Sequence, residues 1–260
     1  MCCNDWWHNV IINKEKSEFE KQEVDFVGHR ISAKGVAPIH SHIEAITNIE
    51  APKSLKQLRR LLGCAGYYRK FVPHYADIIE PLNELLRHDE DFRWSVDCKE
   101  AFESLKSALT SANVLAHIDP NLDTIVTTDA SGVALGAVLS QIQIDSSERP
   151  VAFASRTLSS AERAYSVSER EALACMWACE HWHWFLYGRK FTIRTDHSAL
   201  TTLLAGGTKG RKPMRLLRWA DRLNQYDFIV TYKPGVTNVV ADMLSRPEQD
   251  MSSPNEDIKL

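Results

Sequence analysis

The chain has 260 residues, is 44% hydrophobic and 25% charged, and carries a formal net charge of −3. That suits a globular protein with room for one large core or two modest ones. The longest apolar stretches fall far short of the ~20 residues that cross a bilayer, and no short-period repeat is present.

The cysteines are Cys2, Cys3, Cys64, Cys98, Cys175 and Cys179. No signal peptide precedes them, so reduced thiols in an intracellular setting are expected, with cytoplasm or nucleus left open. Cys175, Cys179 and His183 fall at i, i+4 and i+8 of one predicted helix face. Three ligands on one straight helix cannot surround a tetrahedral zinc ion, so small core-facing residues are the better reading.

In chain order, residues 1–23 are polar and irregular apart from Trp6 and Trp7. "VDFVGHRISAKGVAPI" (24–39) reads as a hairpin with its turn at Lys34-Gly35. From 40 to 88 the period becomes helical: Ile43, Ile46 and Ile49, then Leu55, Leu58, Leu61 and Leu62, recur at three and four residues. Pro52 and Ser54 signal a helix start, and Pro73 and Pro81 break the run. "SVDCKEAFESLKSALTS" (95–111) is one more amphipathic helix.

After "HIDPNLD" strands follow quickly, at 124–130, 134–142 and 150–155, and then a long helix from about Ser166 to Leu186. "KFTIRTD" (190–196) is a strand ending on Asp196, and "HSALTTLL" a short helix. The loop "AGGTKGRKP" leads to the helix "MRLLRWADRLNQ", the strand "YDFIVTYKP" and a last helix "NVVADMLSR". "PEQDMSSPNEDIKL" has the composition of a solvated tail. Strands in succession followed by strand–helix alternation make a mixed α/β sheet, here of five strands, behind a mostly helical module.

In such sheets chemistry gathers at strand ends and helix starts. Asp129 and Asp196 both end strands in the local pattern Thr-Asp, and parallel neighbouring strands would bring them together. Glu171 lies early in the long helix, on the face of Ala174, Cys175 and Ala178, with Glu169 as a rival. Asp242 lies early in the last helix. An acid on the core side of a helix is costly unless it meets a cation. Four converging carboxylates need bound cations to stay ionised. Hard oxygen donors suit Mg²⁺, with Mn²⁺ as substitute. Two such ions ~4 Å apart can activate a water and stabilise the leaving oxygen of a phosphodiester. Each acid taken alone has an ordinary explanation, as a turn residue or as a charge favourable to a helix start.

The stretches "TDASGVALGAVLSQ", "PVAFASRTLSSAERAYSVSEREALACMWA", "GRKFTIRTDHSAL" and "GVTNVVADMLSR" resemble the ribonuclease H domain of gypsy-type long-terminal-repeat retrotransposon polyproteins. The resemblance implies a ribonuclease H-like fold. It carries the family's metal-binding Asp, Glu, Asp and Asp onto Asp129, Glu171, Asp196 and Asp242. Upstream, "VDFVGHRISAKGV" is similar to the primer-grip hairpin of a reverse transcriptase, with Val27, Gly28 and His29 as the primer-grip-like residues. "PKSLKQLRRLLGCAGYYRKFVPHYADIIEPLNELL" is similar to the thumb and connection that follow it. The expected divisions are an irregular 1–23, a primer-grip and thumb/connection module at 24–112, a ribonuclease H-like domain at 113–247 and a disordered tail at 248–260. No Tyr-x-Asp-Asp stretch occurs, so the family's polymerase active site is not among these residues. "YKPGVTNVVAD" also lacks the His that retroviral relatives carry before the last Asp.

Two basic stretches are candidates for a duplex backbone, where phosphate contacts supply most of the affinity. One, 51–70, includes Arg59 and Arg60 with Tyr67 and Tyr68. The other, 206–222, includes Arg211 and Lys212. Solvated helix faces are the competing reading for both. By the resemblance, Ser168 and Arg170 are placed to sense the RNA 2′-OH across the minor groove. The resulting expectation is an Mg²⁺-dependent endonuclease that cuts the RNA strand of an RNA–DNA hybrid, without polymerase activity in this chain. The remaining reverse transcriptase or integrase chains of the element are candidate partners, and no membrane is. The alternative is a catalytically idle nucleic-acid-binding remnant or domesticated chain.

Overall fold

The computed structural model describes residues 17, 19–87, 92–112, 114–204 and 213–234. Residues 1–16, expected to be irregular, residues 205–212 of the expected loop, the expected helix "NVVADMLSR" and the expected tail lie outside the described residues, and with them Asp242, Arg211 and Lys212.

The first element is a three-stranded antiparallel meander where a single hairpin was expected: β1 Glu23–Phe26, β2 His29–Ser32 and β3 Gly35–Pro38. The extra turn is Val27-Gly28, both residues at positive φ (45° and 76°). A two-residue turn of that hand matches strand twist, but a β-branched residue seldom adopts it, and periodicity does not reveal it. Two tyrosines hold it in place. Tyr67 donates its hydroxyl to the Val27 carbonyl, and Tyr68 donates to that of Gly28 at 3.2 Å. Gly35 is fixed by close approach, since a Cβ there would lie 2.0 Å from the Leu115 carbonyl oxygen.

The helices α1 (His40–Thr47), α2 (Leu55–Tyr67), α3 (Tyr75–Ile78), α4 (Glu80–Arg87) and α5 (Val96–Thr110) follow. Ser54 and Ser95 cap α2 and α5, each accepting a backbone N–H three residues on. Pro81 lies in the first turn of α4, where a missing N–H costs nothing, and the run divides just before it, α3 ending at Ile78 and α4 starting at Glu80. Leu58, Leu61, Phe71, Leu82, Leu105 and Leu109 are wholly buried in one cluster. Each such burial stabilises by roughly 1.5–3 kcal/mol before entropy is counted.

The second cluster belongs to the large sheet. Its strands are β4 (Thr124–Ala130), β5 (Ala134–Ile142), β6 (Glu148–Thr157), β7 (Lys190–Thr195) and β8 (Asp227–Tyr232). The order is β6-β5-β4-β7-β8, with β4 parallel to β7 and β7 parallel to β8, and the other two pairs antiparallel. Its helices are α6 (Ser160–Arg163), α7 (Val167–His181), α8 (His183–Leu186), α9 (Ser198–Leu204) and α10 (Met214–Leu223). The long helix expected to reach Leu186 breaks at Trp182 into α7 and α8.

Strand alternation sends β4 residues to two different neighbours. Val126 packs with Leu135, Leu139, Cys175 and Cys179 in the cluster around α7. Thr127 pairs with Val138, and Val138 with Phe153, which joins the helical module's cluster. The sheet is thus covered by α7 on one face and by the helical module on part of the other. Cys175 and Cys179 are fully buried, and His183 bonds Tyr226 at 2.9 Å, in keeping with a packing role. Among the described residues, no helix is long and apolar enough to cross a membrane.

Candidate functional site

β4 and β7 are parallel neighbours, so Asp129 near the end of one and Asp196 just past the end of the other arrive at the same edge. Helix α7 adds Glu171. Its start is set by Ser166 and Glu169, which form a reciprocal capping box. Glu169 also pairs with Arg215 at 2.9 Å, while Glu171, two positions on, turns inward and is 4% exposed. That resolves the rivalry between the two glutamates.

One carboxylate oxygen from each of Asp129, Glu171 and Asp196 lies within 4.8 Å of the others. Asp129 and Asp196 are exposed and Glu171 is buried. The Ala130 N–H is directed at two of the acids, 2.9 Å from Asp129 Oδ1 and 3.2 Å from Glu171 Oε1. Glu171 Oε2 is buried and has no hydrogen-bond partner among the described residues. Burial first, and then the charges of Asp129 and Asp196, push the Glu171 carboxyl up to about 8. A buried, unsatisfied oxygen beside two further carboxylates is what a hard divalent cation would satisfy, and the donor set fits Mg²⁺ or Mn²⁺.

The remaining candidates are dispersed. Ser168 is half-buried, its hydroxyl 2.6 Å from His197 Nε2, which links the start of α7 to the residue after Asp196. Arg170 is half-buried beside Gly132, its Nε without a partner among the described residues. Arg59 and Arg60 are exposed on α2, well along the chain from the carboxylates. Val27, Gly28 and His29 form the turn held by Tyr67 and Tyr68, with the His29 and Tyr67 rings 5.2 Å apart. Within the second basic stretch, Arg215 lies over the Tyr165 ring and Arg222 pairs with Glu180, so both have partners inside the protein.

Sequence reasoning passed over His197, although its place directly after Asp196 was a usable signal. It also passed over Ser131, Asp77 and His74, for which no local pattern speaks.

Residues 94–193 match the model of the RNase H-like domain found in reverse transcriptase. Over 240 residues the chain is 39% identical to the Transposon Tf2-3 and Tf2-4 polyproteins of Schizosaccharomyces pombe. The chain is a homologue of retrotransposon polyproteins. The alignment takes in 92% of this chain but 18% of those relatives, so it spans about a fifth of their length. Among solved structures, a foamy viral protease-reverse transcriptase in complex with RNA/DNA hybrid superposes with a TM-score of 0.69 at 22% identity, covering 94% of this chain and 33% of that one. The same viral protein in complex with dsDNA gives 0.69 at 23% identity, covering 83% and 45%. These likenesses extend through the helical module as well as the sheet, and the α/β architecture is shared across both.

Proposed function

We propose that this homologue of retrotransposon polyproteins hydrolyses the RNA strand of an RNA–DNA hybrid in a metal-dependent reaction. The observation that carries the reading is the convergence of Asp129, Glu171 and Asp196 from three separate elements, one of them buried with an unsatisfied oxygen. Burying a carboxylate among like charges is unfavourable in the protein alone. It becomes favourable when a divalent cation is held there.

Asp129, Glu171 and Asp196 would hold Mg²⁺, or Mn²⁺ in its place, with Asp242 as a fourth ligand from the sequence. The bound ions supply activation of water and stabilisation of the leaving oxygen in phosphodiester hydrolysis. The chain's own residues do the rest. The Ala130 N–H fixes Glu171 Oε1, and Oε2 is buried with no hydrogen-bond partner among the described residues. Asp129 and Asp196, being exposed, leave the mouth of the site open to a phosphate backbone. Arg59, Arg60, Arg211 and Lys212 would hold the duplex through phosphates, and Ser168 with Arg170 would face the RNA strand across the minor groove. In this reading residues 24–112 hold the substrate and residues 113–247 cut it, in an intracellular setting with other chains of the element as partners.

The deciding experiment is cleavage of a labelled RNA–DNA hybrid by the purified chain with Mg²⁺, with Mn²⁺ and with a chelator. Cleavage of the RNA strand alone, abolished by the chelator and by Asp196→Asn, supports the reading. Equal cleavage by the variant overturns it.

A further inference from the structure

Asp129, Gly136 and Ser155 form one row across β4, β5 and β6, being paired residue to residue. Cross-strand partners share a face, so a single surface carries all three. The start of α3 covers two of them. His74 lies over Gly136, with its Nδ1 3.1 Å from where a Cβ would stand. Ala76 donates its N–H to Ser155 Oγ at 2.9 Å. The third, Asp129, is left open.

From the same short helix Asp77 reaches the turn that follows Asp129. Ser131 donates its hydroxyl to Asp77 Oδ1 at 2.5 Å, and its oxygen accepts from the N–H groups of Val133 and Ala134 at 3.1 and 2.9 Å. Ser131 is therefore the hub of the β4–β5 turn, and its hydroxyl faces two acceptors, Asp77 Oδ1 at 2.5 Å in the helical module and the Ala134 carbonyl at 3.2 Å, the contact to Asp77 being the shorter. One residue earlier is Ala130, whose N–H orients both Asp129 and Glu171. One further tie holds this part of the helical module against the sheet domain: buried Glu80 of α4 pairs with Arg163 of α6. Within the module Glu80 also pairs with Arg87, and His74 Nδ1 stands 3.9 Å from Asp77 Oδ2. His74 itself is held at φ 50°, a left-handed conformation that a non-glycine residue adopts at a cost.

We propose that Asp77, in the helical module, is a positioning residue for the carboxylate site, acting through Ser131 and the Ala130 N–H. Resting on the nuclease reading above, it makes the helical module a structural part of the cutting site as well as a substrate holder. A charge-assisted hydrogen bond to a turn hub is stronger than a neutral one, and its loss frees the turn and everything it orients.

Five forms of the full chain test this: wild type, Asp77→Ala, Asp77→Asn, Ser131→Ala and the double variant Asp77→Ala with Ser131→Ala. Three readouts apply: amide hydrogen exchange at Val133 and Ala134 without metal, Mn²⁺ affinity by electron paramagnetic resonance, and steady-state hybrid cleavage. For Asp77→Ala and Ser131→Ala, exchange should quicken about tenfold and Mn²⁺ affinity and kcat should each fall about tenfold, with KM for the hybrid unchanged. The double variant should lose no more than Ser131→Ala alone, because that change already removes the Asp77 bond together with those from Val133 and Ala134. Asp77→Asn keeps an oxygen acceptor and should stay within about threefold of wild type. A merely structural role would lower the melting temperature and leave Mn²⁺ affinity of the folded protein intact, which overturns the proposal. So would Asp77→Asn behaving like Asp77→Ala. A wild type that neither binds Mn²⁺ nor cuts overturns the nuclease reading and this proposal with it. A wild type that does both, beside an unaltered Asp77→Ala, overturns this proposal alone.

Discussion

Glu171 accepts the N–H of Ala130 through Oε1 at 3.2 Å, while its other oxygen is buried and has no partner among the described residues. One half of the carboxylate is thus anchored to the strand that carries Asp129, and the other half is available to a cation.

The Glu171 carboxyl is raised from 4.5 to about 8 by burial and by the charges of Asp129 and Asp196. The folded state therefore binds its proton more tightly than the unfolded state does. This group's contribution to stability is greatest below pH 4.5 and is lost as pH rises towards 8, by an amount on the order of a few kcal/mol. Thermal melts in chelator should show the melting temperature falling over that window. Glu171→Gln should flatten the fall, and millimolar Mg²⁺ should reverse it in wild type. A melting temperature independent of pH between 5 and 8 in chelator would contradict the assignment.

Asp196→Asn should abolish hybrid cleavage and should not lower stability. The variant removes a charge that repels Asp129 and that opposes ionisation of Glu171, so without metal its melting temperature should equal or exceed that of wild type. Differential scanning calorimetry beside the cleavage assay checks both halves. Full activity in the variant would remove Asp196 from the site.

The 260 residues contain no Tyr-x-Asp-Asp stretch, so this chain by itself should not extend a primer on an RNA template with any divalent metal. Templated nucleotide incorporation by clean protein would show that the helical module has been misread.

Neutral replacements at Arg211 and Lys212 should weaken hybrid binding for all sequences alike. Each lost phosphate contact should flatten the slope of log affinity against log salt by about one. Cleavage at saturating hybrid should change much less, because these residues would position and not react. Binding of wild type and the double variant across a salt series decides. An unchanged slope would leave the stretch a solvated face.

Much of this was legible from local pattern. The Ser166/Glu169 capping box starts α7 where a Ser-x-x-Glu signature says it should. Leucines at three- and four-residue spacing end in the helical core, and β-branched runs ending in Thr-Asp become β4 and β7. Such features rest on interactions within a few residues, so the sequence states them directly. The Val27-Gly28 turn was not legible, because a β-branched residue at positive φ is tolerated only where Tyr67 and Tyr68, forty residues away, hold it.

The sequence by itself determined which acids had a plausible place, through strand ends and helix starts, and the periodicity that separates a helical module from a mixed sheet. Only the tertiary structure decided that Glu171 and not Glu169 enters the cluster, because both sit early in one helix and burial alone distinguishes them. It also decided that Asp77 meets Ser131, a contact between residues 54 positions apart that share no motif. Local propensity carries no information about such pairings. They arise when the second face of the sheet, left apolar at Val138 and Phe153, is covered by the helical module and brings α3 to the edge where the carboxylates lie.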